Sequence, residues 1–300
     1  MWFRNLQVFR IPRNWELPLA DFDKQLSRQL FQACGSQDAQ SRGWISPRGN
    51  DQLVHSLNRQ WLIALGSEQK LLPGAVVKQE AQQRAIHFEE EQGYKPGRKQ
   101  MQEIRDQVTM ELLPRAFSRY RSTQVWLDPI AGWLCMDASS TARADEILEV
   151  LGKSLDDAPV SRLRTQVSPA AAMADWLASG EAPSGFTVDR DCELKAHGNE
   201  QATVRYVRHA LDGDEIRSHL EQGKQPTRLG LTWNDRISFI LTDKLEIKRL
   251  AFLDILKEDA EKQAQDNDEL FDIEFTLMTG ELNQLLTDLT QALGGEAEED

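Results

Sequence analysis

The sequence predicts an α+β fold with antiparallel sheets. Three observations point there. Residues 124–128 and 132–137 alternate around Pro129 to Ala131 as a β-hairpin does. Residues 228–233, 236–241 and 245–250 alternate as a three-strand meander. Leu229, Leu231 and Trp233 face one side of its first strand, and Ile237, Phe239 and Leu241 one side of the next. Long polar helical stretches stand apart from both.

Taken in order, residues 2–11 mix large apolar and polar side chains in a strand-like way. Asp21 to Cys34 reads as an amphipathic helix through Phe22, Leu26, Leu30 and Phe31. Gly35, Pro47 and Gly49 mark loops, and the apolar run 61–65 reads as a strand. After Pro73 and Gly74 come a polar helix over 75–92, a turn over 93–99 and a second helix to Leu113, a helical hairpin with a basic tip. A helix follows over 142–155, and a Pro/Ser-containing link at 156–160 marks a subdomain boundary. The second half reads as a helix at 170–179, strands at 193–196 and 202–207, a short helix at 212–222, the meander, and helices at 252–262 and 280–293. Residues 294–300 read as a frayed end.

Hydrophobic residues make up 40% and charged residues 28% of 300, the composition of a soluble globular chain with a real core. No run approaches the roughly 18–20 apolar residues that span a bilayer. The first residues lack a basic segment followed by an apolar one, so no signal peptide is expected. Cys34, Cys135 and Cys192 are odd in number and far apart, which argues against a disulfide framework and fits a reducing cytoplasm. There is no phosphate-binding Gly-rich loop, no Cys-x-x-Cys, no His-Glu-x-x-His and no Gly-x-Ser-x-Gly. The five histidines are scattered, so no metal or other cofactor is expected.

The net charge of −13 opposes nucleic-acid binding until its distribution is read. Residues 254–300 hold 15 Asp and Glu against two Lys, and the rest of the chain holds 33 of each sign. The body is therefore neutral and able to carry a basic face. The acidic end reads as a solvated helix and tail, or as a surface that repels DNA.

Within that body, residues 112–121 pack Arg115, Arg119 and Arg121 around Phe117 and Tyr120. Guanidinium groups stay charged and fork onto phosphate oxygens. The aromatics between them suit stacking on bases or anchoring a partner. If this segment is helical, Arg115 and Arg119 share a face, with Phe117 and Tyr120 pointing roughly the other way. The plainer alternative is a helix end with solvated arginines and two core aromatics. Other basic positions are Lys78 and Arg84 on the first hairpin helix, Lys95, Arg98 and Lys99 at the tip, and Arg205, Arg208, Lys224, Arg228, Lys248 and Arg249 in the second half. None spells a base-reading motif, so phosphate contact without sequence choice is expected, weakening steeply with salt.

One enzyme-like pattern stands beside this. Asp235 precedes Glu246-Ile247-Lys248 on adjacent strands, which resembles the magnesium site of restriction-type nucleases. A solvated strand face is the plainer reading. A protein-interaction scaffold using the Phe117 block is a third possibility.

The blocks Leu-Leu-Pro-Arg-Ala-Phe-Ser-Arg at 112–119, Cys-Gly-Ser-Gln at 34–37, Gly43-Trp44, Leu72-Pro73 with Val77-Lys78-Gln79, and Phe-Thr-Leu-Met-Thr-Gly-Glu-Leu at 275–282 resemble the bacterial recombination-associated RdgC family, from Trp2-Phe3 to Glu296. The resemblance implies an elongated, multi-subdomain α+β chain with a protruding helical hairpin, forming a closed ring as a homodimer. It implies double-stranded DNA threaded through a basic hole without sequence preference, single strands as a further ligand, and restraint of RecA-promoted recombination by occupying DNA. It implies a non-enzymatic protein without a metal site, in the cytoplasm on the nucleoid. Phe117 then corresponds to the aromatic of the dimer contact that opens or closes the ring, with Tyr120 beside it. The candidates for DNA contact are Lys78, Lys95, Arg98, Lys99, Arg115, Arg119, Arg121, Arg205, Arg208, Lys248 and Arg249. At the tip, Pro96 and Gly97 interrupt the more Lys-rich stretch of the family. The implied organisation is a central α+β domain of 1–72 with 122–158, a helical-hairpin tip domain of 73–121, and a base domain of 159–300 with acidic C-terminal helices. A closed dimer needs two self-complementary patches. The Phe117 block supplies one, and the exposed edge of the 228–250 meander is the candidate for the other.

Overall fold

The computed structural model describes residues 1–196 and 202–297. It is a mixed α+β chain with two antiparallel sheets. The first sheet holds β1 (Gln7–Arg10), β2 (Gln40–Ile45), β3 (His55–Leu57), β4 (Gln60–Leu71), β5 (Phe117–Asp128), β6 (Trp133–Met136) and β7 (Ser161–Arg162). Its order is β2-β4-β5-β6-β1-β7, with β3 also paired to β4. The second holds β8 (Phe186–Ala196), β9 (Thr203–Tyr206), β10 (Lys224–Trp233), β11 (Ile237–Thr242) and β12 (Ile247–Phe252), ordered β12-β11-β10-β8-β9. The hairpin (β5–β6) and the meander (β10–β12) fall where alternation places them, because each has one apolar face to bury.

The helices are α1 (Leu19–Leu26), α2 (Gly74–Gln92), α3 (Arg98–Leu112), α4 (Thr141–Ser154), α5 (Pro169–Ser179), α6 (Asp214–Glu221), α7 (Asp254–Gln263) and α8 (Asn267–Ala292). α2 stops at Gly93, whose φ of 76° closes the helix in the left-handed region. α2 and α3 are tied by a forked ion pair from Arg84 to Glu111, with contacts of 2.9 and 2.6 Å.

Three local expectations change. The helix expected over residues 21–34 is short. α1 ends at Leu26, a 3₁₀ turn covers Ser27–Gln29, and the chain then lies across β2, where Phe31 N–H donates to the Trp44 carbonyl at 3.0 Å. The approach is so close that a Cβ on Gly43 would stand 2.4 Å from Phe31 N.

The acidic end is also more than a solvated helix. α8 buries Phe275, Met278, Leu282, Leu285, Leu286 and Leu289 at helical spacing. Its polar side chains take indole N–H bonds from both sheets and the N-terminal segment: Trp2 to Glu274 (2.9 Å), Trp133 to Asn283 (3.1 Å) and Trp233 to Asp288 (2.9 Å). Arg48 pairs with Asp272 (2.8 Å) and Arg236 with Glu281 (2.7 Å). Burial holds the Glu281 carboxyl above its ordinary range, against the pull of Arg236. Residues 298–300 of the expected frayed end lie outside the described residues.

Third, the outer edge of the meander is not free. Leu6 and Ile247 exchange backbone hydrogen bonds of 2.7 and 3.1 Å, and Leu250 N–H donates to the Arg4 carbonyl at 2.8 Å. This strap continues directly into β1, so one segment stitches the two sheets together. The core accordingly has two parts. Ile63, Leu65, Val125 and Leu127 meet α1 and α4 on one face of the first sheet. Leu62, Trp126, Trp133 and Cys135 on the other face join α5, α8 and the second sheet.

Candidate nucleic-acid interface

The arginine–aromatic block is not one helix. α3 ends at Leu112, Pro114 sits in a 3₁₀ turn (Leu113–Arg115), and Ala116 is extended at φ −71°, ψ 141°. β5 starts at Phe117. Arg115 and Arg119 therefore do not share a helical face. A strand alternates instead, which puts Phe117, Arg119 and Arg121 on one face and Tyr120 on the other. Phe117 is 85% exposed and stands opposite Leu71, itself exposed. Tyr120 is half-exposed and meets Phe31 edge-on at 5.4 Å. Neither aromatic is a core residue.

Register then sets the neighbours. Arg121 lies opposite Ser67, which lies opposite Arg42 of β2. Arg119 lies opposite Gln69, which lies opposite Gln40. One row further in, Thr123, Leu65 and Trp44 already belong to the covered part of the face. Arg143 of α4 reaches back over this boundary, donating to Thr123 Oγ1 (3.0 and 2.9 Å) and Ser67 Oγ (2.9 Å). Arg42 and Arg143 were not singled out from the sequence. Nothing in their spacing connects them to Arg119 and Arg121: cross-strand register puts Arg42 in the row of Arg121, and the bonds to Ser67 and Thr123 bring Arg143 to it.

The other sequence candidates fall into two groups. Lys78 on α2, Lys95 in the α2–α3 turn, Arg98 and Lys99 at the start of α3, and Arg115 are exposed and have no carboxylate in ion-pair contact among the described residues. Arg208 and Arg249 are likewise exposed and unpaired. Both take a left-handed backbone, with φ of 52° and 51°. Arg208 N–H is held by Asp191 Oδ1 (3.1 Å), and Arg249 sits where the β11–β12 register slips, a bulge that re-aims its side chain. Arg205 and Lys248 are different, because their charges are answered within the chain. Arg205 pairs with Glu193, which also accepts from Thr227 Oγ1 (2.9 Å). Lys248 pairs with Glu246 at 2.8 Å. Burial works to raise the Glu193 and Glu246 carboxyls, but these partners outweigh it and hold both below the ordinary range.

The nuclease pattern comes apart. Asp235 is in the β10–β11 turn and Glu246 in the β11–β12 turn, at opposite ends of six-residue β11. That separation is about 20 Å at the rise of a strand. Glu246 is buried and accepts from Gln7 Nε2 (3.0 Å) and Thr141 Oγ1 (3.1 Å) as well as Lys248, a structural junction between the sheets. No group of three His, Cys, Asp or Glu side chains among the described residues is arranged to hold a metal ion. No helix among them is long and apolar enough to cross a membrane.

A family model described as "Putative exonuclease, RdgC" matches residues 1–296. The chain is 60% identical over 302 residues to a protein of Dechloromonas aromatica (strain RCB) named "Recombination-associated protein RdgC", covering 100% of this chain and 99% of that one. Proteins of the same name from Janthinobacterium sp. (strain Marseille) and Herminiimonas arsenicoxydans are each 52% identical, over 298 and 296 residues, with 99% of both chains covered.

Proposed function

Since the chain belongs to the RdgC family, we propose that it binds double-stranded DNA without sequence preference, as a ring-shaped homodimer around the duplex, and limits RecA-promoted recombination by occupying DNA on the nucleoid. It contributes no enzymatic step of its own in this reading. The observation that carries it is the disposition of charge. The cations at positions 78, 95, 98, 99, 115, 119, 121, 208 and 249, unpaired among the described residues, are exposed, whereas several carboxylates of the acidic C-terminal stretch are turned inward onto tryptophans and arginines. Exposed cations without internal partners are available to phosphates, and neutralising several phosphates releases counterions. The paired Arg205 and Lys248 then contribute less than the sequence pattern suggests. In the dimer, Phe117 is the anchor of one contact, since with the exposed Leu71 opposite it offers an apolar patch for a partner to bury. Single strands are a second ligand of the same surface, because phosphate contact does not require a duplex.

Fluorescence-anisotropy titrations with two unrelated duplexes across a salt series test this. Equal affinities and a steep negative slope are expected, together with a fall in RecA-promoted strand exchange that tracks the fraction of DNA bound. Absence of binding at low salt overturns the reading. The same samples carry magnesium, so cleaved DNA would instead support an exonuclease.

A further inference from the structure

The two arginines of β5 face a cleft of about 190 Å³ that is walled by four elements, β2, β4, β5 and α4. Arg119 and Arg121 come from β5, Arg42 from β2, and Arg143 from the first turn of α4. We propose that this cleft is a binding site for one phosphate group, which in the DNA-bound state is a backbone phosphate of the nucleic acid.

The arrangement is built rather than incidental. Glu146 splints two of the four guanidinium groups, accepting from Arg42 Nη2 at 3.0 Å and from Arg143 Nη1 at 2.7 Å. Arg143 is fixed further by Thr123 and Ser67, so its position is set before any ligand arrives. Arg119 and Arg121 have no acceptor among the described residues, although Arg121 shares a cross-strand row with Arg42 through Ser67 and Arg119 stands in the next row, opposite Gln69. Counting Glu146 and also Glu149, which stands 3.7 Å from Arg42, the four arginines leave an excess of positive charge. Glu68 lies at the same cleft and is kept ionised by the Ser118 hydroxyl and Cys34 N–H (2.7 Å), so with its charge counted too the four arginines still outnumber the carboxylates by one.

The donors point to phosphate over other anions. A carboxylate is satisfied by one forked guanidinium, whereas a tetrahedral phosphate offers oxygens to several at once. Ser67, Ser140 and Gln69 add neutral donors around the same volume. The amino end of α4, capped by Ser140 accepting from Arg143 N–H at 3.3 Å, turns its partial positive charge toward the cleft. The volume is ample for a phosphate group.

A phosphate on DNA and a free phosphate share this chemistry, and the DNA assignment rests on the function proposed above. The test therefore has two arms, run on the full-length protein and on an Arg119→Gln/Arg121→Gln variant. Both side chains are exposed and unpaired, so the variant should keep the melting temperature of the parent, and an Arg119→Lys/Arg121→Lys variant separates charge from fork geometry. In the first arm, calorimetric titration with pyrophosphate is expected to show binding that weakens at least tenfold in the Gln variant and less in the Lys variant. In the second, the magnitude of the salt slope for duplex binding is expected to fall by about 1 per cleft engaged. Pyrophosphate binding lost in the variant with an unchanged DNA slope keeps the phosphate site and assigns it to a free ligand. Pyrophosphate binding without any DNA binding by the parent removes the proposed function and leaves the cleft standing. Equal behaviour of parent and variant in both arms overturns the inference.

Discussion

Replacing Phe117 by Ala separates an encircling ring from an ordinary DNA-binding surface. The side chain is 85% exposed, so the isolated fold should change by no more than about 0.5 kcal/mol. In the proposed ring the partner subunit covers it. Burying a phenylalanine contributes about 1.5–3 kcal/mol, and a two-fold contact contains it twice. Ring closure then loses about 3–6 kcal/mol, which raises the open population by roughly 10²- to 10⁴-fold at 1.4 kcal/mol per decade. The assay loads protein on a closed circular duplex and on the same molecule linearised, then raises salt until point contacts fail. The parent should stay on the circle and run off the linear ends. The Ala variant should leave both at similar rates. Equal retention of parent and variant on the circle would refute the reasoning, because Phe117 would then have no part in closure.

Other expectations follow from single contacts. Gly43→Ala places a methyl 2.4 Å from Phe31 N and 2.5 Å from the Leu30 carbonyl carbon, so a loss of about 1–3 kcal/mol is expected in urea unfolding. His55 is held below its ordinary value of 6.5, by burial first and by Arg48 second, against the opposing pull of Asp272. The unfolded chain takes up that proton more readily, so stability is full above about pH 6.5 and declines as pH falls below it. His55→Gln should flatten that decline in denaturation midpoints between pH 7 and 5. Glu246→Ala strands Gln7, Thr141 and Lys248 and should cost about 1–3 kcal/mol, whereas Asp235→Asn, in an exposed turn whose φ of 53° asparagine also tolerates, should be near neutral. Loss of magnesium-dependent cleavage in Glu246→Ala at unchanged stability would restore the metal reading.

What was legible in the sequence was what has one wet face and one dry face. β10 and β11 announce themselves because Leu229, Leu231, Trp233, Ile237, Phe239 and Leu241 are all buried. The first half of β5 does not, since Ser118 through Ser122 is polar on both faces and its extended form is dictated by pairing with β4. That is why the sequence leaves a helical arginine block open, where the structure has a turn and a strand. α8 shows the opposite failure. Its carboxylates suggest a solvated surface, but they are paired with indole and guanidinium groups that only the tertiary structure brings near. The meander edge reads as open because its covering strand, Arg4 to Leu6, lies some 240 residues away in the chain. The cleft was half legible: two of its arginines stand out in composition, while Arg42 and Arg143 arrive through register and a helix start.

The pinning of Trp2 and Phe3 to α8 has a consequence for synthesis. Trp2 donates to Glu274 across 272 residues, and Phe3 N–H meets Met278 Sδ at 3.4 Å. At roughly 5–20 residues per second, a ribosome exposes residues 2 and 3 for about 15–50 s before their partners exist. During that interval the strands of the nascent first sheet can pair edge to edge, but the face carrying Trp126 and Trp133 lacks the part of its cover that α8 supplies. Completion of the fold thus waits on α8, and a polypeptide truncated before it would leave the translation machinery with the indoles of Trp2, Trp133 and Trp233 deprived of their acceptors, a substrate for chaperones and proteases.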